Sequence, residues 1–340
     1  MAQATVHPAP PVHAADRPPP FVPLWAVAAA FWSAVVAIVL ARAAGVADNE
    51  VIGTFGVIFT SIVVEALPFI LIGAAASAAI AVFVPASAFA RLARLPRPVQ
   101  VPAAALAGFA MPVCECGSVP VARRLILRGV HPSAGIAFML AAPILNPIVL
   151  ASTWVAYGAA GKAFEMTAAR AGLGLLVAIS AGGLIGRHGD SLMRIAGDGR
   201  GHDHEHKSGS AGAFVEHLAS DFLFMGRFLV LGAAVAALLQ TAVPQDWLSS
   251  VADLQVLGAL ALMGMAIALS LCSEADAFVA VSFTAFPLGS QLAFLVLGPV
   301  VDAKLAVLYG ATFRRRFTAR LLAIAVPIAL VGALAFDALF

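Results

Sequence analysis

Met111-Pro112-Val113-Cys114-Glu115-Cys116-Gly117-Ser118-Val119-Pro120 sets two thiols and a carboxylate among helix breakers. A second segment, Cys272-Ser273-Glu274-Ala275-Asp276, holds the remaining cysteine, so all three cysteines of the chain lie in these two places. In a regular helix residues i and i+2 point about 200° apart, so Cys114 and Cys116 can converge only where the backbone breaks. Pro112 and Pro120 each remove a backbone donor, and Gly117 is expected to supply a positive φ. Irregular backbone of this kind is tolerated at membrane depth where it lines a cavity or is buried in protein.

Membrane depth follows from the composition. The 340 residues are 61% hydrophobic and 11% charged, with a mean hydropathy of +0.97 and a net charge of only +2. A soluble chain of this length needs far more polar surface, so the sequence reads as an all-α polytopic membrane protein. Residues 1–23 form a Pro-rich polar tail, expected to be disordered, and the apolar stretch from Leu24 leads an N-terminal transmembrane helix at 24–44. That stretch is long enough to cross about 30 Å of hydrocarbon, and its long, non-basic leader argues against a cleaved signal. Further apolar segments run over 55–84, 99–112, 133–159, 167–186, 218–243, 254–271, 287–310 and 318–339.

The positive-inside rule orients them. Arg91, Arg94 and Arg97 mark one cytoplasmic loop, Arg187, Arg194, Arg200 and Lys207 a second, and Arg314, Arg315, Arg316 and Arg320 a third. The loops at 44–54 and 244–253 contain neither Lys nor Arg and read as outside. Arg123, Arg124 and Arg128 follow the first cysteine segment closely, so 99–128 enters from the cytoplasm and returns there, whereas 254–286 enters and leaves from outside. Each cysteine segment is thereby placed at the turn of a broken or re-entrant helix.

An internal repeat agrees with that orientation. Ala137-Phe138 precedes Pro143 and Asn146 at the offsets by which Ala293-Phe294 precedes Pro299 and Asp302, and residues 66–85 share a Gly-Ala-Ala core, preceded by Leu71-Ile72 in one copy and Val230-Leu231 in the other, and a closing Val-Pro with 225–244. The expected organisation is two inverted-topology repeats, 55–186 and 218–340, joined by a His-rich cytoplasmic linker at 187–217. Inverted repeats with interrupted helices place their site near the bilayer midplane, between the halves.

Thiols and carboxylates are costly in lipid, so their clustering points to solute handling. Soft thiolates favour cuprous ion, zinc or trivalent arsenic over hard cations. An arsenic centre carrying one organic group has two valences for sulfur; Cys114 and Cys116 would hold it and Cys272 would receive it. Glu115 and Glu274 are the candidate proton-coupling groups, with Asp276 and Asp302 as further acids of the site. Asp302 and Lys304 could pair only off-helix, since residues two apart on a helix do not face each other. Gly117 shapes the first turn, and Asn146, in Pro143-Ile144-Leu145-Asn146-Pro147, stands at an expected kink. His202, His204 and His206 alternate with acids in the linker and form a candidate metal site of compositional kind. No phosphate loop, nucleophile elbow or His-Glu-x-x-His motif is present, which argues against an enzyme. No cofactor and no nucleic-acid partner is implied. The expected partners are a small thiophilic solute and membrane lipid, with a homo-oligomer or a second membrane subunit left open.

The stretches 112–122, 141–150 (Ala-Ala-Pro-Ile-Leu-Asn-Pro-Ile-Val-Leu) and 272–283 (Cys-Ser-Glu-Ala-Asp-Ala-Phe-Val-Ala-Val-Ser-Phe) resemble the signatures of the YraQ/ArsP-type permease family. The resemblance spans about 55–330 and implies an inner-membrane permease whose best-understood relatives export trivalent organoarsenicals. The Pro-rich tail and His-rich linker depart from the family pattern, which leaves room for another metal substrate. With no nucleotide motif, the proton gradient is the expected energy source. Two other readings stay open: a thiol-disulfide relay with a thioredoxin-like partner, using Cys114 and Cys116 as the redox pair, and a divalent or soft metal ion permease fed by the linker.

Overall fold

The computed structural model describes residues 50–84, 95–111, 113–187, 211–242, 254–314 and 316–339. The tail at 1–23, the expected helix at 24–44, Pro112, and His202, His204 and His206 lie outside the described residues. Every regular element described is helical. In chain order these are α1 (Glu50–Phe83), α2 (Arg97–Ala107) with a closing 3-10 turn at Gly108–Ala110, α3 (Glu115–Leu127), α4 (Pro132–Leu145), α5 (Pro147–Gly158) and α6 (Ala163–Ile185). Then follow α7 (Ala211–Ala242), α8 (Gln255–Leu269), the short α9 (Asp276–Ala280), α10 (Leu288–Leu297), α11 (Ala303–Thr312) and α12 (Arg316–Leu339).

Five stretches are long and apolar enough to cross a membrane: Ile52–Ile80, Pro132–Gly158, Ala163–Ile185, Gly212–Thr241 and Arg316–Leu339. Burial sorts them. In the apolar window of Pro132–Gly158, 78% of the residues are buried against 17% for Ile52–Ile80, so the former is core and the latter faces outward. A helix that is apolar all round is stable only when other helices surround it, as they do α4. It packs between α2 and α6, and α10 packs between α8 and α12 in the same way. Two long pairs, α1 with α7 and α6 with α12, join these groups.

The apolar segment 287–310 is broken into two helices. It ends as α10 at Leu297 and restarts as α11 at Ala303, because Pro299 has no amide to donate and Asp302 adopts an extended backbone (φ −133°, ψ 178°). Its counterpart breaks at Asn146 (φ −50°, ψ 127°), the expected kink being a full interruption. Asn146 and Asp302, which match in the internal alignment, perform the same task. Asn146 Oδ1 accepts from Ile148 N at 3.0 Å and Asp302 Oδ1 from Leu305 N at 2.6 Å, so each caps the half-helix that follows it.

Candidate functional site

The first cysteine segment builds its turn as a helix start. Cys114 is the N-cap of α3 with an extended backbone (φ −73°, ψ 175°), and its Sγ accepts from Gly117 N at 3.4 Å. Cys116 lies in the first helical turn, so the helix start brings both thiols to one buried end of α3. Pro120, inside α3, has no amide for the Cys116 carbonyl, which is left free of its helical donor. Ser118 Oγ bonds the Met139 carbonyl at 2.9 Å and fixes α3 against α4.

Gly117 departs from its expected conformation. Among the described glycines only Gly129 and Gly161 have positive φ, and Gly117 is an ordinary helical residue. Its missing side chain serves packing instead: a Cβ there would meet the Gly73 Cα at 3.1 Å, so glycine on both helices lets α1 and α3 touch at backbone level.

The second segment is shaped by Ser270, the one non-glycine residue with positive φ (49°) among those described. It ends α8 in a left-handed turn, a conformation that costs a residue with a Cβ about 1–2 kcal/mol. Its bonds hold it there. Ser270 Oγ donates to Ile267 O (3.0 Å) and accepts from Ala303 N (3.1 Å), and its carbonyl accepts from Lys304 Nζ (3.0 Å). The chain then turns through Cys272 and Ser273 into α9.

Lys304 joins the two segments. Only 2% exposed, its Nζ lies 2.9 Å from Glu115 Oε1, 3.4 Å from Asp302 Oδ2 and 3.9 Å from Cys272 Sγ. The off-helix Asp302–Lys304 pairing is thus formed, because Asp302 is the cap and not a helical residue. Ser273 Oγ donates to Glu115 Oε2 at 2.9 Å, so Glu115 is held from both sides by residues distant in sequence. Glu274 faces the same group, with Glu115, Asp276 and Lys304 as its charged neighbours, yet neither of its enclosed carboxylate oxygens has a hydrogen-bond partner among the described residues. Gly232 on α7 permits the close approach of Lys304: a Cβ there would meet the Lys304 Cα at 2.7 Å.

Asp276 is bound by Arg170 of α6, which is 0% exposed. The guanidinium donates to both Asp276 oxygens, at 2.9 and 2.7 Å, to Thr153 Oγ1 at 2.8 Å and to the Ser273 carbonyl at 3.3 Å. A connected polar line thus runs from Thr153 through Arg170, Ser273, Glu115 and Lys304 to Cys272.

The structure therefore brings Cys114, Glu115, Cys116, Gly117, Cys272, Glu274, Asp276 and Asp302 to one buried region. Asn146 spends its side-chain bond on its own turn. Arg170, Ser270 and Ser273 were not singled out by the sequence reading, and Lys304 only as a neighbour of Asp302. Arg170 and Lys304 carry a legible signal, a cation within an apolar segment. The serines carry none, since their roles depend on backbone torsion and distant partners. Beside Cys116 is a cavity of about 10 Å³, lined by Ile70, Cys116, Met225, Leu229, Lys304 and Leu308. That is room for about one water.

Residues 52–338 match the model of a family described as predicted permeases, of ArsP type. The chain is 42% identical over 281 residues to the UPF0718 protein YcgR of Bacillus subtilis (strain 168), covering 82% of this chain and 95% of that protein. It is 36% identical over 265 residues to a Streptococcus mutans (serotype c, strain ATCC 700610 / UA159) protein named as a subunit of a two-component membrane permease complex, covering 76% of this chain and 87% of that protein. No solved structure matches it. Together with the five membrane-crossing stretches, these likenesses describe a multi-pass membrane permease, a transporter rather than an enzyme.

Proposed function

Because the chain belongs to the ArsP-type family of predicted permeases, we propose that it exports thiophilic solutes, trivalent organoarsenicals among them, in exchange for protons. The observation that carries this reading is the meeting of both cysteine segments around Lys304. An organoarsenous acid carries two hydroxyls. Condensation with two thiols would form two As–S bonds, break two As–O bonds and release two waters, the thiol protons leaving with the hydroxides. Cys114 and Cys116 would make the first such site, and Cys272 would take over one bond by thiol exchange.

Charge balance supports proton coupling. Four carboxylates, Glu115, Glu274, Asp276 and Asp302, share the region with two cations, Lys304 and Arg170. A site in lipid tolerates little net charge, so the surplus acids would carry protons, and Glu274 is the one with no hydrogen-bonded partner among the described residues. Glu115 would respond to protons through its contact with Lys304. The two halves would be inverted repeats rocking about the site, a reading supported by the matched breaks and caps at Asn146 and Asp302. A second membrane subunit, as the name of the Streptococcus mutans relative describes for that protein, would belong to the assembly.

The test is uptake of methylarsenite and of cuprous ion into everted vesicles, comparing the native protein with a variant in which Cys114, Cys116 and Cys272 are serine. Arsenical accumulation that disappears in the variant is the expected result, and undiminished accumulation would refute the thiol site. Dissipating the proton gradient with ATP preserved should stop accumulation; uptake that continues would refute the coupling.

A further inference from the structure

Among the described residues two fully buried ion pairs, Arg170–Asp276 and Lys304–Glu115, join the surroundings of the second cysteine segment to the first half of the chain, and they are built differently. Arg170 grips Asp276 with both ends of its planar fork and also holds the Ser273 carbonyl and Thr153. A single guanidinium therefore fastens α5 and α6 to residues 273–276. Other contacts on that side add to the hold. Helix α9 packs on α5, and Tyr157 of α5 donates to Gln291 Oε1 at 2.7 Å, while the Gln291 amide donates to the carbonyls of Phe283 and Phe286, each at 3.2 Å.

The Lys304–Glu115 pair has a different character. It is a single contact at 2.9 Å from a point charge on a flexible stem, and it borders the cavity. The remaining partners of Lys304, namely Ser270 O, Asp302 and Cys272, all come from its own half. Ser270 is bonded to Ala303 and Lys304, whereas Ser273 is bonded to Arg170 and Glu115. Only two residues, Leu271 and Cys272, separate these opposed anchors, next to the left-handed turn at Ser270.

We propose that Arg170 is a positioning residue that fastens residues 273–276 to α5 and α6, so that they move with the first half of the chain and the site opens by parting Lys304 from Glu115. Cys272 then sits on the dividing line, between the anchored Ser273 and the Ser270 that travels with α11. This rests on the permease reading above and adds to it which of the two buried pairs is permanent and which is made and broken in each cycle.

Two substitutions separate the pairs. Arg170→Lys keeps the charge and loses the fork; the freed segment should let N-ethylmaleimide alkylate Cys272 at least about tenfold faster and raise the KM for methylarsenite about tenfold, with maximal rate within about threefold of native. Lys304→Arg puts a fork at the contact that has to part, so maximal rate should fall at least about tenfold with little change in KM. Should Arg170→Lys not be recovered folded, the double variant Arg170→Met with Asp276→Leu replaces the pair without leaving a lone buried charge and should show the same faster alkylation of Cys272. Native alkylation and native KM in a folded Arg170 variant would overturn the positioning role, even if its thermal midpoint fell. Unchanged turnover in Lys304→Arg would overturn the assignment of the parting contact. If the native protein takes up no arsenical, the arsenical reading fails at that step, and the alkylation comparison still decides the role of Arg170.

Discussion

Gly232→Ala adds one methyl group where α7 meets the start of α11. The new Cβ would lie 2.7 Å from the Lys304 Cα, 2.9 Å from its Cβ and 3.0 Å from its carbonyl oxygen. Two of these are backbone atoms that cannot rotate aside. Ordinary contact begins at 3.4 Å, so α7 and α11 must separate by about 0.7 Å, the difference between 3.4 and 2.7 Å. If the Lys304 side chain follows its backbone, its 2.9 Å contact with Glu115 and 3.0 Å bond to Ser270 lengthen by at most that much, to about 3.6–3.7 Å at the limit, which lies beyond hydrogen-bond range. Overpacking of this size costs about 1–3 kcal/mol. The measurement is the thermal midpoint of the purified protein in detergent, with methylarsenite uptake in everted vesicles beside it. Gly226→Ala, on the same helix with open space around it, is the control and should leave both readings near native. A Gly232→Ala protein with native midpoint and native uptake would refute the claim that this glycine sets the position of Lys304.

Three further outcomes are expected. Ser273→Ala removes a hydrogen bond to the Glu115 carboxylate (2.9 Å) and should lower stability in a denaturant or thermal titration by about 1.5–3 kcal/mol, the usual value for a bond to a charged group. Asp302→Asn keeps a cap oxygen for Leu305 N but removes a carboxylate from Lys304, so the helix should survive while coupled uptake changes; Asp302→Ala and Asn146→Ala each lose a cap and should cost about 0.5–2 kcal/mol by thermal melting. Tyr157→Phe deletes the bond to Gln291 and leaves its amide oxygen unpaired, which should cost about 1–3 kcal/mol in the same melting assay.

Much of the helix order was legible because apolar length and turn chemistry are local properties. The segments at 133–159 and 254–271 lie within a few residues of the helices observed, and the Asn146-Pro147 interruption was marked by its prolines. The break at 298–302 was signalled only by the match of Pro299 and Asp302 to Pro143 and Asn146, and the stretch 287–310 was bounded as one apolar segment. Gly298 and Pro299 announce it no less plainly than Pro147 announces the other, but the apolar run on both sides hid them. Gly117 was read as a turn residue because Gly beside Cys-x-Cys and Pro suggests irregular backbone. Whether a glycine is there for its φ or for close packing depends on what lies opposite, and here that is Gly73.

The sequence by itself determined that this is a helical membrane protein and that its thiols and acids belong to two short segments, because hydropathy, breaker residues and charge asymmetry act over windows of a few residues. The tertiary structure alone decided who meets whom. Lys304 reaches Glu115 across 189 positions of chain and Arg170 reaches Asp276 across 106, and such partners are chosen by how helices pack. It also decided that the carboxylates differ: Asp276 held in an arginine fork, Glu115 between a lysine and a serine, Asp302 spent on a cap, and Glu274 left without a hydrogen bond among the described residues. In lipid, where no water stands ready to satisfy a buried charge, that allotment of partners separates a fixed anchor from a contact free to break.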